Sequence, residues 1–153
     1  MEKIKRNVYE ALPEYTKFLK MCTVCEKAGM SSQLLNQKIS RKNRMRILEK
    51  DLSILNDAIE EVCNDLKQRY IEYTNDREEL NKQVKLVLEY IKMVYILNSL
   101  GKTRGWYDVR MYSPKEGRNV STFSKDEIDS INLELLKIVT KLEQTELVLD
   151  SEE

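Results

Sequence analysis

The sequence predicts an all-α protein built from two helix-turn-helix units, and two observations carry that expectation. Charged residues make up 34% of the 153, with only 4 glycines and 2 prolines, and the apolar residues recur at helical spacing, as solvated amphipathic helices require. Slid along itself by about 72 residues, the chain also matches one helix-turn-helix pattern to a second, as an internal duplication would. Phe18-Leu19-Lys20-Met21 meets Tyr90-Ile91-Lys92-Met93, Ala28-Gly29 meets Leu100-Gly101, and Leu34-Leu35 with Lys38-Ile39 meets Trp106-Tyr107 with Arg110-Met111. A further slip of about four residues restores the match, so that Leu52, Leu55, Asn56, Ile59, Val62 and Leu66 fall on Ile128, Ile131, Asn132, Leu135, Ile138 and Leu142. Most of these are apolar sites that two unrelated amphipathic helices would also share.

Taken in order, residues 2 to 12 are expected to form a short helix ended by Pro13, which suits the first turn of the next helix but not a helix interior. The second helix carries Tyr15, Phe18, Leu19 and Cys22 as a core-facing stripe. Gly29 then supplies a left-handed residue, Met30 plugs the corner, and Ser31 caps the helix that follows. On that helix Leu34, Leu35 and Ile39 are expected to face inward, leaving Ser32, Gln33, Asn36, Gln37 and Lys38 outward. Two long helices, about 47 to 73 and 76 to 99, are expected to reverse at Thr74-Asn75-Asp76 into a long antiparallel helical hairpin that joins the units. Leu80, Val84, Val87, Ile91 and Val94 run along it in near-heptad steps, which suits a homodimer or a protein partner at the central helices.

The second turn, Leu100-Gly101-Lys102-Thr103, places Thr103 where Ser31 stands in the first. The helix after it presents Arg104, Gly105, Asp108 and Arg110 outward, with Trp106 and Tyr107 as core anchors. Residues 112–122, holding Pro114 and Gly117, read as a turn or as a small hairpin wing carrying Lys115 and Arg118. Ser124-Lys125-Asp126-Glu127 is a capping box that opens the last helix. The expected organisation is a first unit over 1–66 with a basic segment at 38–46, a helical connector over 67–89, a second unit over 90–145, and an acidic tail over 146–153.

Charge and composition exclude several classes of function. Lys+Arg and Asp+Glu both number 26, so no overall field favours non-specific wrapping of DNA or an anionic membrane, and any such attraction must come from local clustering. No stretch approaches the roughly 18 apolar residues of a membrane helix, and the N-terminus lacks the apolar run of a signal peptide, so a cytoplasmic protein is expected. Cys22, Cys25 and Cys63 are expected as buried structural thiols, because the single C-x-x-C has neither a histidine nor a second pair to complete a zinc site. Neither a metal nor a cofactor is expected. With no phosphate loop and no assembled acid, base or nucleophile, the chain reads as a non-enzyme.

What remains is a polar helix edge beside a basic run. Asn and Gln can bond bidentately to adenine in the major groove, Arg to guanine, and Ser and Lys reach bases or phosphates. Lys38, Arg41, Lys42, Arg44 and Arg46 crowd together with no acid among them, which suits phosphate contact. Lys102, Arg104, Arg110, Lys115 and Arg118 form the corresponding set in the second half. The expected partner is double-stranded DNA, touched through these residues together with Ser32, Gln33, Asn36 and Gln37.

The order Gly-Lys-Thr-Arg-Gly-Trp-Tyr-x-x-Arg-Met, a basic glycine-containing turn, and Phe-Ser-x-Asp-Glu-Ile-x-x-Ile-Asn resembles a family of small helix-turn-helix proteins from prophages and mobile elements of gut bacteria. The resemblance covers roughly residues 90 to 142; residues 18 to 66 echo it more faintly, and Val24 to Ile39 resembles the phage-repressor form of the motif. It implies DNA binding and a role in transcription regulation, although Asp108 and Tyr107 depart from the family pattern. Two function classes follow: a DNA-binding regulator or accessory protein of a phage or mobile element, or a helical protein-interaction module such as a virion component, anti-defence protein or adaptor. Zero net charge, Asp108 and the acidic tail favour the second.

Overall fold

The computed structural model describes residues 2–40, 46–112 and 120–149. Among them the chain forms β1 (Ile4–Asn7), α1 (Val8–Tyr15), α2 (Met21–Ala28), α3 (Ser32–Ser40), α4 (Glu49–Lys67), α5 (Arg77–Val87), α6 (Met93–Leu100), α7 (Arg104–Met111), α8 (Lys125–Glu143) and β2 (Thr145–Val148). The chain is mostly helical, with one small two-stranded parallel sheet.

The two long helices organise the core because each repeats apolar residues every three or four positions. Leu52, Leu55, Ile59, Val62 and Leu66 line one face of α4, and Ile128, Ile131, Leu135, Ile138 and Leu142 line one face of α8; all are buried. The two faces pack on each other, α2 packs on α4, and α6 packs on α8. Residues of both chain halves join a single buried cluster, from Val8 to Leu147.

Polar side chains fix the helix starts. Asn7 accepts from the Tyr9 N–H at α1 (2.8 Å), and Asp76 from the Glu78 and Glu79 N–H groups at α5 (3.1 and 3.3 Å). At α8 the expected capping box is present: Ser124 accepts from the Glu127 N–H at 3.1 Å, and the Glu127 carboxylate accepts from the Ser124 N–H at 2.8 Å. Each cap satisfies amides that the first helical turn leaves without a partner.

Two groups of long-range bonds tie the halves together. Leu19 and Ile91 form an isolated antiparallel bridge, in which Lys20 N–H donates to the Tyr90 carbonyl and Lys92 N–H donates to the Phe18 carbonyl, both at 2.8 Å. Asn56 on α4 clamps Leu147, its amide donating to the Leu147 carbonyl and its oxygen accepting from the Leu147 N–H, both at 3.0 Å. Asn132 on α8 clamps Ile71 the same way, at 2.9 and 2.8 Å.

These bonds explain where the fold departs from the expected elements. The helix expected over 76 to 99 stops at Val87, because Tyr90, Ile91 and Lys92 turn their backbone to the Leu19 strand. The helix expected to reach residue 73 ends at Lys67, and Ile71, outside any helix, is held by Asn132. No long antiparallel hairpin forms; α4 lies on α2 and α8, and α5 is too short to run beside it. Pro13 lies inside α1 rather than before the next helix. The expected acidic tail begins with β2, whose Leu147 is buried beside β1. Most of the expected wing, residues 113–119, lies outside the described residues, and no strand forms at residues 120–122.

Candidate nucleic-acid interface

Both sharp turns are built from the same local chemistry. Gly29 closes α2 at φ 68°, ψ 30°, and Gly101 closes α6 at φ 69°, ψ 32°. This left-handed geometry suits glycine because a Cβ would meet the adjoining carbonyl. After each glycine the backbone turns back to cap the helix just ended. Gly29 N–H reaches the Glu26 carbonyl at 3.2 Å and Met30 N–H the Cys25 carbonyl at 3.0 Å; Gly101 N–H reaches Asn98 at 3.2 Å and Lys102 N–H reaches Leu97 at 2.9 Å. These are Schellman caps, which satisfy the last carbonyls of the helix. The next helix is then opened by a hydroxyl: Ser31 accepts from the Leu34 N–H (3.2 Å) and Thr103 from the Trp106 N–H (3.1 Å).

Each emerging helix is pinned to a long one by an ion pair. Lys38 on α3 meets Asp51 on α4 at 2.9 Å, with both side chains largely covered. The Lys38 ammonium and a hydrogen bond from the Leu48 N–H hold the Asp51 carboxyl below the usual range, against the opposing effect of partial burial. Arg110 on α7 forms a fork with Glu127 on α8 at 3.2 and 3.1 Å, donates to the Trp106 carbonyl at 3.0 Å, and lies 4.4 Å from the centre of the Trp106 ring. Burial raises the Glu127 pKa, but the Ser124 N–H and the Arg110 guanidinium outweigh it and hold the carboxyl low. A bidentate guanidinium stacked on an indole is a rigid arrangement.

The expected interface residues therefore divide. Gln33 and Asn36 on α3 are exposed, and Ser32 and Gln37 are half-buried along the same short helix. Lys38 and Arg110 hold α3 and α7 in place instead of projecting outward. Arg46 and Lys102 are exposed with no ion-pair partner among the described residues, and the Lys102 ammonium lies 5.5 Å from the Trp106 ring centre. Arg104 is also exposed and pairs with Asp108 at 3.2 Å. Such a surface pair is worth about 0–1 kcal/mol and exchanges readily for another anion. Arg41, Lys42, Arg44, Lys115 and Arg118 lie outside the described residues.

Some expectations about packing also change. Leu34, expected inward, is 37% exposed, and on α3 only Leu35 is fully buried, with Ile39 half-covered. Trp106 is half-buried and meets Phe123 edge-on at 5.6 Å, while Tyr107 is buried as expected. Cys22 is exposed, whereas Cys25 and Cys63 are buried.

Sequence spacing carries no signal for the network that seats the first unit. Tyr90 O–H donates to Asp65 at 2.6 Å, Lys27 pairs with Asp65 at 2.9 Å, and Arg69 lies over the Tyr90 ring at 4.6 Å. Hydrogen bonds from Tyr90 and Lys27 hold the Asp65 carboxyl low. These residues join α2 and α4 to the bridge segment, so α3 projects from a braced support.

Among the described residues no group of His, Cys, Asp or Glu could hold a metal ion, and no helix is long and apolar enough to cross a membrane. No family model, curated protein or solved structure matches the chain.

Proposed function

We propose that the protein is a cytoplasmic DNA-binding regulator or accessory factor of a phage or mobile element, reading duplex DNA through two helix-turn-helix units that arose by internal duplication. One observation carries this reading: α3 leaves a left-handed glycine turn with Gln33 and Asn36 exposed along a helix that the Lys38–Asp51 pair holds rigid. Exposed amides on a fixed helix have the donors and acceptors that adenine edges require. Arg46, three residues before α4, with Lys102 and Arg104 at the start of α7, supplies cations for phosphate or guanine.

Fluorescence titration against a random-sequence duplex library at low salt tests the reading. Exchanging Gln33 and Asn36 for Ala should abolish sequence preference, and exchanging Arg46 and Lys102 for Gln should lower the salt slope by about one unit per lost phosphate contact. All four residues are solvent-exposed, so the fold should survive, and an unchanged far-ultraviolet spectrum would check that. Absence of binding to any duplex at low salt would end the reading.

A second reading, a helical protein-interaction module, has its own support. Val109 on α7 and Tyr112 just after it are 49% and 52% exposed, and Arg104 already has a carboxylate beside it. Val109→Asp would abolish capture of a protein partner under this reading and leave duplex titrations unchanged.

A further inference from the structure

The bonds between the two halves are reciprocal, and reciprocity determines how two reading heads would lie. Exchange Phe18 with Tyr90 and Lys20 with Lys92, and the bond from Lys20 N–H to the Tyr90 carbonyl becomes the bond from Lys92 N–H to the Phe18 carbonyl; both are present at 2.8 Å. Exchange Asn56 with Asn132 and Leu147 with Ile71, and one side-chain clamp becomes the other, donor for donor and acceptor for acceptor. The pins of the projecting helices correspond as well: Lys38–Asp51 with the Leu48 N–H, and Arg110–Glu127 with the Ser124 N–H.

A repeat related by translation or by an open screw makes each contact once, from the face of one unit to a different face of the next. Contacts in which residue i of one unit meets j of the other while j meets i require a twofold operation. The strand pair β1–β2 and the Tyr90–Asp65–Lys27 network have no counterparts among the described residues, so the symmetry is approximate.

We infer that the chain is a pseudo-twofold fusion of two reading units, and that its target is therefore a pair of inverted, unlike half-sites rather than a direct repeat. The inference rests on the DNA-binding reading given above. Operator symmetry mirrors protein symmetry in helix-turn-helix dimers, and here the two halves of the dimer are one chain with different side chains. The α3 half presents Gln33 and Asn36, suited to adenine, and the α7 half presents Arg104, suited to guanine. No second copy is needed to complete the site.

The test is selection from duplexes carrying a random central segment, followed by titration of the selected half-sites rebuilt as inverted pairs, direct pairs and single sites over a range of spacings. The expected result is one protein chain per duplex and binding to the inverted unlike pair at least tenfold tighter than to the direct pair. Gln33→Ala with Asn36→Ala should erase base preference in one half-site only, and Arg104→Ala in the other only. Equal affinity for direct pairs or single sites, or two chains per inverted site, would overturn the inference while leaving DNA binding intact. Failure to bind any duplex would remove both.

Discussion

Replacing Asn132 with alanine should destabilise the protein by about 2–4 kcal/mol, through groups that belong to another residue. Ile71 is 4% exposed, and its N–H and carbonyl both use Asn132 as partner, at 2.8 and 2.9 Å. Without that side chain both backbone groups stay buried unmatched, at about 1–3 kcal/mol each. Asn132 is only half-covered, so water reaching the gap should hold the sum to the lower part of that range. Urea unfolding with an unchanged slope gives the difference directly, and the same loss should lower Tm by roughly 4–16 °C. Asn132→Asp should be no better, since it keeps the acceptor for the Ile71 N–H but sets a negative charge against the Ile71 carbonyl. Asn56→Ala should cost a comparable amount at Leu147, and the double variant should show near-additive losses because the two clamps share no residue. A loss below about 0.5 kcal/mol for Asn132→Ala would refute the reasoning, since surface-like substitutions stay within that figure.

The turns, the acid branch of the pH profile and the thiols yield further expectations. Gly29→Ala and Gly101→Ala should each cost about 1–2 kcal/mol in thermal or urea unfolding, entirely from the positive φ, because nothing beyond the adjoining residues lies within 4 Å of an added Cβ. Gly105→Ala, inside α7 with only the Thr103 hydroxyl at 3.7 Å, should instead stabilise by about 0.5–1 kcal/mol. Glu127 has a folded-state pKa held below the ordinary value of 4.5, so its stabilising contribution is complete above about pH 4.5 and is lost as pH falls through the depressed value. Urea midpoints measured across that window should fall less steeply for Glu127→Gln than for the parent. Burial pushes the Cys63 thiol up to about 12 and raises Cys25 as well, so at neutral pH a disulfide-exchange reagent should label exposed Cys22 at once and the other two only on unfolding.

The parts of this fold that were legible in the sequence are those set by neighbours along the chain. Gly29, Gly101, Ser31, Thr103, Asp76 and Ser124 mark turns or caps through bonds spanning two to five residues, and the apolar rows of α4 and α8 follow from spacing alone. What was not legible depends on partners far off in sequence. Leu88 to Lys92 carry strong helical character, yet backbone bonds to Phe18 and Lys20 draw them out of the helix. Asn56 and Asn132 look like ordinary polar residues until Leu147 and Ile71 arrive beside them. The same limit divides the candidate interface. Gln33 and Asn36 could be assigned outward from the helix period, whereas Lys38 and Arg110 look equally available until Asp51 and Glu127 are found next to them.

The pairing of β1 with β2 has a kinetic consequence. Ile4 lies in register with Thr145, so this small clasp encloses nearly every other residue of the fold. Closing a loop of about 140 residues carries one of the largest entropic costs available to the chain, and what offsets it, the buried Leu147 and its Asn56 clamp, needs α4 already in place. The clasp should therefore be the last element to form on refolding and the first to open, fastening the earliest helix only after the interior has assembled. In hydrogen-exchange experiments, the backbone amides of β1 and β2 should lose protection at a lower free energy than those in the middle of α4 and α8.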